Sequence, residues 1–189
     1  MLEKIPSVVG EALSGLKAGV EKTAFFASFP DIPVSITLSS PAFADGAALP
    51  ARFTADGAGV SPPLAWNGLP PDTASVVLLV EDAGSPTPQP LVHLIVWNLA
   101  ADRTNLREGD VSHSVQASDL PLGRNSFLQT AWLPPDPPSG HGQHAYVFQI
   151  YALRRPLELA ESPGRGALLD AMRSLVSAKG MLVGTYARA

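Results

Sequence analysis

Two short segments of this chain combine acidic, histidine and proline residues in a way that could form a small binding site. Residues 81–86, EDAGSP, are followed by His93, and residues 134–146, PPDPPSGHGQHAY, contain His144. Each segment lies beside an apolar run typical of a β-strand. Proline fixes φ and so lowers the entropy that a binding loop loses when it becomes ordered. The sequence therefore predicts a small, stiff pocket and favours ligand binding over catalysis.

The first segment is expected to bring Asp82 and His93 together. Asp82 ends one apolar run and His93 begins the next. If the intervening residues form a loop between antiparallel neighbours, both groups lie at the same end of the sheet. Strand alternation predicts that His93, Ile95 and Trp97 share one face.

Catalytic and metal-binding arrangements can also be drawn from these residues. Ser139, His144 and Asp82 have the residue types of a serine hydrolase triad, but no G-x-S-x-G motif is present and Ser139 lies in PPSG, a turn sequence. Asp82 with His93, His141 and His144 could be posed as a zinc site, but neither H-x-H nor H-E-x-x-H spacing occurs. We therefore predict no catalytic residues, no metal site and no cofactor.

The elements that must position these groups are mostly short β-strands. Runs rich in β-branched and aromatic residues, separated by Gly and Pro, occur at residues 34–40, 51–59, 75–82, 91–99, 126–133 and 144–153. Residues 75–80 are apolar on both faces, which indicates a central strand that is covered on both sides. Together these runs predict a mainly β fold, an antiparallel sandwich or barrel.

A helix is expected at each end of the chain. Apolar residues recur at three- and four-residue steps from Leu2 to Val20, which predicts an amphipathic helix packed on the body of the protein or on a second copy. Its polar face carries both charges, which disfavours binding to a membrane surface. Ser162 and Pro163 can begin a second helix that ends near Gly180, followed by a strand at residues 181–188. We divide the chain into a helical arm, 1–30, and a β-rich domain, 31–189.

The composition excludes several classes of function. The 189 residues are 46% hydrophobic and 16% charged, as in globular proteins. The net charge of −4 and the lack of a basic cluster disfavour nucleic-acid binding. The chain has no cysteine, and charged residues interrupt the apolar pattern of the first twenty residues, so we expect no disulfide, no membrane span and a cytoplasmic location.

Four motifs carry a family resemblance. They are DGAGVSPPLAWNGLP at residues 56–70, VEDAGSP at 80–86, VHLIVWNL at 92–99 and PPSGHGQHAYVFQIYAL at 137–153. In this order and spacing they resemble the phosphatidylethanolamine-binding protein family, which includes the Raf kinase inhibitor proteins and their bacterial relatives. The resemblance covers most of residues 33–188. It implies a Greek-key β-sandwich with a C-terminal helix, a surface pocket for phosphate-like or phospholipid-headgroup anions, and a role as a binder that modulates kinases or proteases rather than as an enzyme.

The resemblance also implies which residues bind the ligand. His93 and His144 would hold phosphate oxygens, while Asp82 would orient a histidine or meet the ammonium end of a zwitterion. The predicted ligand-binding residues match the family's D-P-D-x-P motif, the histidine after it, the proline-rich loop and the H-R-Y motif: Asp82, Pro86, His93, Pro135, His144 and Tyr146.

Three positions depart from the family pattern. Gly84 stands in place of the second aspartate, Pro134 in place of a glycine, and Ala145 in place of the arginine of H-R-Y. Proline has no N–H to donate, and losing the arginine removes a possible cation. Because a hydrogen bond to a charged group contributes about 1.5–3 kcal/mol, we predict a pocket that binds the usual headgroups weakly or prefers another ligand.

Three functional hypotheses follow. The leading one is a non-enzymatic binding protein for a small anion or a phospholipid headgroup, with a kinase or protease as partner. The second is a hydrolase or lyase that uses His93, His144 and Asp82. The third is an interaction protein with a vestigial pocket, in which the N-terminal arm forms a homodimer.

Overall fold

Short strands joined by long connections make up most of the regular structure. The computed structural model describes residues 7–112 and 120–188. The strands of this part of the chain are β1 (Thr37–Ser39), β2 (Leu64–Asn67), β3 (Ser75–Asp82), β4 (Leu91–Ala100), β5 (Asn105–Leu106), β6 (His144–Leu153) and β7 (Val176–Tyr186). The α-helices are α1 (Ser7–Leu13), α2 (Ala24–Ala27) and α3 (Arg165–Met172). None of the helices in the described ranges is long and apolar enough to cross a membrane.

The strands form two antiparallel sheets. The larger has the order β4-β3-β6-β7 and the smaller β1-β2-β5. The predicted mainly β, antiparallel fold is confirmed, and the strand orders are compatible with the predicted Greek-key connections. All eight residues of β3 are buried, as expected for a strand covered on both faces.

Apolar side chains fill two cores, one on each face of the larger sheet. The main core lies between the sheets and includes Trp66, Val80 and Phe148. The second core lies on the other face, where Leu168 and Met172 of α3 pack with residues of β3, β4 and β6. The larger sheet is thus the rigid element from which the site is built.

The N-terminal segment packs on this sheet, but largely not as a helix. The prediction of one amphipathic helix is wrong in extent, since α1 ends at Leu13; residues 1–6 lie outside the described part. Ala18 and Gly19 donate backbone hydrogen bonds to Ser85 and Ala83. Within the predicted stripe, Leu16 and Val20 are 57% and 45% exposed. Leu16 and Val20 therefore do not attach the arm, whereas backbone hydrogen bonds hold Ala18 and Gly19, and Ala24 and Phe29 pack in the second core.

A buried polar network anchors residues 23–29. Glu81, fully buried, accepts hydrogen bonds from the backbone N–H of Ala24 at 2.7 Å, from Gln149 Nε2 at 2.8 Å and from Arg165 Nε at 2.6 Å. Lys179 donates to two backbone carbonyls of the same segment. The network joins the arm, the sheet and α3.

Two predicted strands are absent because local hydrogen bonds give other conformations. Residues 51–59 begin with a 3-10 turn, Ala51–Phe53, and Thr54 then accepts from the N–H of Asp56 and donates to the Ala51 carbonyl. Residues 126–133 form turns rather than a strand. In both segments side-chain bonds to the backbone outweigh the β propensity.

The C-terminal helix is shorter than predicted. It spans Arg165–Met172, and β7 begins at Val176 rather than at residue 181. Gly180, near which the sequence pattern placed the helix end, lies within β7. A Cβ at Gly180 would stand 2.0 Å from the Ile36 carbonyl oxygen, so a close backbone approach determines the residue here.

Candidate functional site

A cavity of about 340 Å³ lies at the end of the larger sheet where β3 ends and β6 begins. Its walls come from β3 and the loop after it, from β4, from the loop before β6, from the rim segment 125–129 and from Ala55, which precedes β2. The lining residues are Ala55, Asp82, Ser85, Pro86, Leu91, His93, Phe127, Gln129, Leu133, Pro134, Asp136, Pro137, Pro138 and His144. The predicted meeting of the two proline-containing segments is therefore observed.

Asp82 is held rigidly at the inner wall of the cavity. Its Oδ1 accepts the backbone N–H of Gly84 at 2.8 Å, and its Oδ2 lies 2.8 Å from His144 Nδ1. Asp82 and His144 are 3% and 1% exposed. The carboxylate thus orients the imidazole, which is one of the two roles predicted for it.

The hydrogen-bonded chain continues away from the cavity. His144 Nε2 lies 2.7 Å from His141 Nδ1, and His141 Nε2 lies 2.8 Å from the Leu13 carbonyl and 3.2 Å from the Leu16 carbonyl. Both rings are buried. A chain of side chains thus connects the cavity wall to the end of the N-terminal helix.

Counting hydrogens shows what completes this chain. A carbonyl only accepts, so His141 Nε2 must carry a hydrogen, and one hydrogen must lie in each of the other two contacts. These three contacts need three hydrogens, but two neutral imidazoles supply only two. The chain must therefore bind one more proton if all three contacts are to be hydrogen bonds. With Asp82 ionised, the fully bonded chain of Asp82, His144 and His141 has zero net charge, a favourable state for a buried group.

His93 lies at a β-bulge that turns its ring toward the main core. Val80 pairs with Leu94 and Glu81 with Val92, so His93 is the extra residue. The ring is 5.1 Å from the Tyr146 ring, centroid to centroid. Ile95 packs in the second core, on the opposite face of the sheet. The prediction that His93 and Ile95 share a face is wrong because the bulge interrupts the alternation.

His93 presents an unused acceptor. Its Nδ1 lies 2.6 Å from the Leu133 carbonyl and therefore donates, while Nε2 is buried and has no hydrogen-bonding partner among the described residues. Burial lowers the pKa of His93 below its ordinary value, although the Asp82 charge opposes this. The ring is accordingly neutral near pH 7 and has a lone pair on Nε2.

The predicted ligand-binding residues separate into two sets. Asp82, Pro86, His93 and His144 line the cavity, whereas Pro135 and Tyr146 do not. Tyr146 is fully buried beside His93, its hydroxyl has no partner in the described part, and burial raises its pKa. Pro135 lies behind the wall, where its carbonyl accepts the N–H of Ala55.

Each departure from the family pattern has a distinct structural consequence. A Cβ at Gly84 would lie 2.6 Å from His144 Cα, so an aspartate cannot be placed there without displacing β6. Pro134 lines the cavity and offers no N–H. Ala145 lies between His144 and Tyr146 on β6, so alternation places it on the opposite face, and it does not line the cavity. The expectation that Ala145 removes a cation from the pocket is therefore not supported.

Sequence reasoning missed the rim of the cavity. Asn125 Oδ1 accepts the N–H groups of Phe127 and Gln129, and Asn125 Nδ2 donates to the Ala131 carbonyl. This turn holds Phe127 47% exposed and Leu128 74% exposed, with Leu128 at φ +62°. Asn125 is the residue that could have indicated this turn in the sequence, because asparagine side chains commonly replace backbone partners in turns.

A charged group borders the opposite side of the mouth. Asp136 lines the cavity and is paired with Arg188, which also contacts Asp56 at 2.6 Å. The hydrogen bond from Arg188 lowers the pKa of Asp56. The guanidinium is thus engaged by two carboxylates.

The hydrolase and metal arrangements find no geometric support. No hydrogen bond joins Ser139 to His144 among the bonds of the described residues; Nε2 of that histidine faces His141 instead. In the same part of the chain no group of three or more His, Asp or Glu side chains is arranged to hold a metal ion. Among the described residues, His144 is hydrogen-bonded to Asp82 and to His141.

Comparison with known proteins places this architecture in a family. Residues 39–187 match the family model described as phosphatidylethanolamine-binding protein. A UPF0098 protein of Methanothermobacter thermautotrophicus is 32% identical over 81% of this chain and 99% of its own length. A UPF0098 protein of Chlamydia pneumoniae is 37% identical over 79% of this chain and 97% of its own length.

Solved structures agree with these matches. A phosphatidylethanolamine-binding protein homologue of Chlamydia trachomatis has a TM-score of 0.73 and 33% identity, covering 82% of this chain and 99% of the other. YbcL of E. coli, described as a member of the mammalian family, has a TM-score of 0.74 and 25% identity, covering 82% of this chain and 100% of the other. The chain belongs to the phosphatidylethanolamine-binding protein family.

Proposed function

We propose that this protein is a non-enzymatic, cytoplasmic binding protein whose cavity holds one small organic ligand. The observation that carries the proposal is the His93 Nε2 atom, a buried polar group that has no partner among the described residues and belongs to a residue lining a cavity of about 340 Å³. Buried polar groups in folded proteins are nearly always hydrogen-bonded. The cavity volume lies in the range of small-molecule sites. A bound ligand would supply the missing partner.

The arrangement supports binding rather than turnover. Asp82 and His141 engage both ring nitrogens of His144, so this histidine has no free nitrogen to exchange protons with a substrate. Of the two described histidines that line the cavity, His93 is the candidate base for an enzymatic alternative, since its Nε2 is unpartnered in the described structure. Turnover of phosphoesters or carboxyl esters that disappears in His93→Ala would favour that alternative.

Phosphate-like anions and phospholipid headgroups remain the ligands that the family resemblance implies, and we expect this cavity to bind them weakly. Pro134, Pro137 and Pro138 contribute no N–H groups to its wall. Each missing donor to an anion costs about 1.5–3 kcal/mol of binding free energy.

A protein partner, such as the kinase or protease that the resemblance implies, would meet the rim. Phe127 and Leu128 are exposed there. Large apolar side chains beside a ligand cavity are typical of interaction sites. Ligand occupancy and partner binding would then involve the same surface.

The homodimer hypothesis concerns another surface. Val8 and Leu16 of the N-terminal arm are 66% and 57% exposed. Removing residues 1–28 to test it would also remove the buried Phe25, so substitution is the better experiment. A variant with Val8→Ser and Leu16→Ser that changes a dimer into a monomer in light scattering would support this hypothesis.

The experiment that tests ligand binding is an NMR titration of the histidine ring signals, which is practical because the chain has only four histidines. A panel of small organic compounds, with inorganic phosphate and O-phosphoethanolamine, would be titrated to millimolar concentration. We expect at least one compound to shift His93 saturably. Ala55→Trp, which fills the exposed edge of the cavity, should abolish the shift. Ala58→Trp, at an exposed position outside the lining, should not. If no compound shifts His93, the proposal is wrong.

A further inference from the structure

We propose that the N-terminal arm docks on the cavity wall together with one proton, and that its docking thereby sets the charge of that wall. The coupling involves protein groups alone and goes beyond the proposed function. The arm precedes residues 39–187, the part of the chain that matches the family model.

The arm contacts both loops that form the wall of the cavity. The Ala18 N–H donates to the Ser85 carbonyl, in the loop after β3, at 2.8 Å. The helix α1 lies against the loop before β6, so closely that a Cβ at Gly10 would have no room beside the Ser139 carbonyl. Ser85 itself lines the cavity. Docking of the arm and the structure of the wall are therefore directly connected.

His141 makes this connection depend on a proton. Its Nε2 lies 2.8 Å from the Leu13 carbonyl, which can only accept, so the docked arm requires a hydrogen on this nitrogen. The contact between His141 and His144, at 2.7 Å, and the contact between His144 and Asp82, at 2.8 Å, each need one hydrogen as well. The chain beneath a docked arm therefore holds three hydrogens, whether the third is on a ring or on the carboxyl group.

Release of the arm removes one of these requirements. Without the Leu13 and Leu16 carbonyls, His141 Nε2 would meet water, which donates as well as accepts. Two neutral imidazoles then complete the chain, since His144 donates to Asp82 and His141 donates through Nδ1 to His144. The released chain has the charge of the carboxylate, whereas the docked chain has no net charge. Because Asp82 and His144 line the cavity, this difference changes the charge of the cavity wall.

The histidine pair is the group near the arm that changes charge close to neutral pH. The charged or titratable side chains that flank the pair are Asp82 from β3, His93 from β4, Tyr146 from β6, Asp136 with its partner Arg188, and the exposed Glu11 and Lys17 of the arm. Of these residue types, histidine alone ordinarily titrates between about pH 5 and about pH 8. Burial lowers the pKa of His93, so this ring is neutral above about pH 6.5. A change in docking above that pH therefore reports on His141 and His144.

Amide hydrogen exchange, followed by NMR in the full chain, tests the coupling. The N–H groups of Ala18 and Gly19 report docking, because both donate to the loop after β3. The N–H of Phe25, which donates to Gln149 Oε1, is the internal reference. Each measured rate is divided by the rate of an unstructured amide at the same pH. Since the docked state binds one proton more, docking weakens as the pH rises, and the protection of Ala18 and Gly19 relative to Phe25 should fall about ten-fold from about pH 6.5 to about pH 8.5. Relative protection that stays constant or rises would overturn the proposal.

Two variants locate the proton. His141→Gln places an amide N–H where Nε2 lies, so the arm keeps its donor without a titrating group, and the fall in protection should shrink to less than about three-fold. Lys17→Met is the matched control, because it removes a hydrogen bond from the arm to the Gln143 carbonyl in the same loop and should keep the full pH dependence. The assignment is wrong if the Gln variant keeps the dependence or the Met variant loses it.

If His141→Gln does not fold, the ring ¹⁵N signals of the unmodified protein replace it. The Nε2 atom of His141 should carry a hydrogen at about pH 6.5, where the arm is docked, and should lose it over the pH range in which the protection of Ala18 falls. A docked arm with no hydrogen on this nitrogen would contradict the proposal.

Discussion

Two substitutions of His141 can measure separately the hydrogen bonds that its two ring nitrogens make. The Asn side chain places its amide nitrogen where His has Nδ1, and the Gln side chain reaches the position of Nε2. His141→Asn therefore keeps the contact to His144 and loses the Leu13 and Leu16 carbonyls. His141→Gln does the reverse. Both remove the ring contact with His144, whose centroid distance is 4.8 Å, so their difference isolates the hydrogen bonds.

The structure indicates which loss is larger. His144 is 1% exposed, so in His141→Gln its Nε2 is left without a partner where water does not reach, at a cost of about 1–3 kcal/mol. Leu16 is 57% exposed and Leu13 partly exposed, so in His141→Asn water can replace the lost donor, and the cost is about 0.5–1.5 kcal/mol. We expect the Gln variant to be less stable than the Asn variant by about 1 kcal/mol.

Urea unfolding followed by the fluorescence of the three tryptophans measures this difference. For a chain of this size each kcal/mol corresponds to roughly 2–4 °C in Tm, so calorimetry gives an independent value. If His141→Asn is the less stable variant, or if both remain within about 0.5 kcal/mol of the unmodified protein, the chain does not connect the arm to the cavity wall as described.

Three further predictions concern the surroundings of the site. Gly84→Ala should destabilise the protein by about 1–3 kcal/mol, because its Cβ would collide with the backbone of β6. The control Gly166→Ala, in α3 with open space around it, should be neutral or stabilising. Thermal unfolding of the two variants measures the difference. Glu81→Gln removes a fully buried charge with three hydrogen-bonding partners and should cost about 3–5 kcal/mol in urea unfolding, whereas Glu108→Gln, in an exposed ion pair, should cost less than about 1 kcal/mol. Because folding lowers the pKa of His93, the unfolded chain binds more protons than the folded protein below about pH 6.5, so the free energy of unfolding should fall as the pH decreases from about 7.5 to about 5.5. His93→Phe should show a smaller fall over the same range. Equal slopes of the free energy of unfolding against pH in the two proteins would contradict the buried neutral ring.

The sequence predicts the central architecture of this protein well because long apolar runs are decided by burial. Residues 75–82, 91–99 and 144–153 coincide with β3, β4 and β6 to within one residue. The segments at 51–59 and 126–133 have β-type composition but form turns, since Thr54 and Asn125 bond to the backbone around them. Whether a short polar side chain takes a local partner depends on tertiary packing, which residue types alone do not show.

The candidate site, too, could be predicted from the sequence only in part. Asp82, His93 and His144 were predicted to meet, and they do, because strand ends fix their positions. The prediction that His93 shares a face with Ile95 and Trp97 was wrong, since a single extra residue in β4 reverses the alternation. The function of His141 could not be deduced from its spacing, because its partners include backbone carbonyls 125 and 128 residues away in the sequence.

The residues that match the family's ligand motif are in this chain largely occupied with one another. Asp82 and His144 satisfy their polar atoms within the protein, and Gly84 leaves no space for a second carboxylate. Among the described residues, the Nε2 atom of His93 and the hydroxyl of Tyr146 remain without a partner. The ligand preference of the pocket therefore depends on the few polar atoms that the protein leaves unpaired as well as on the shape of the cavity.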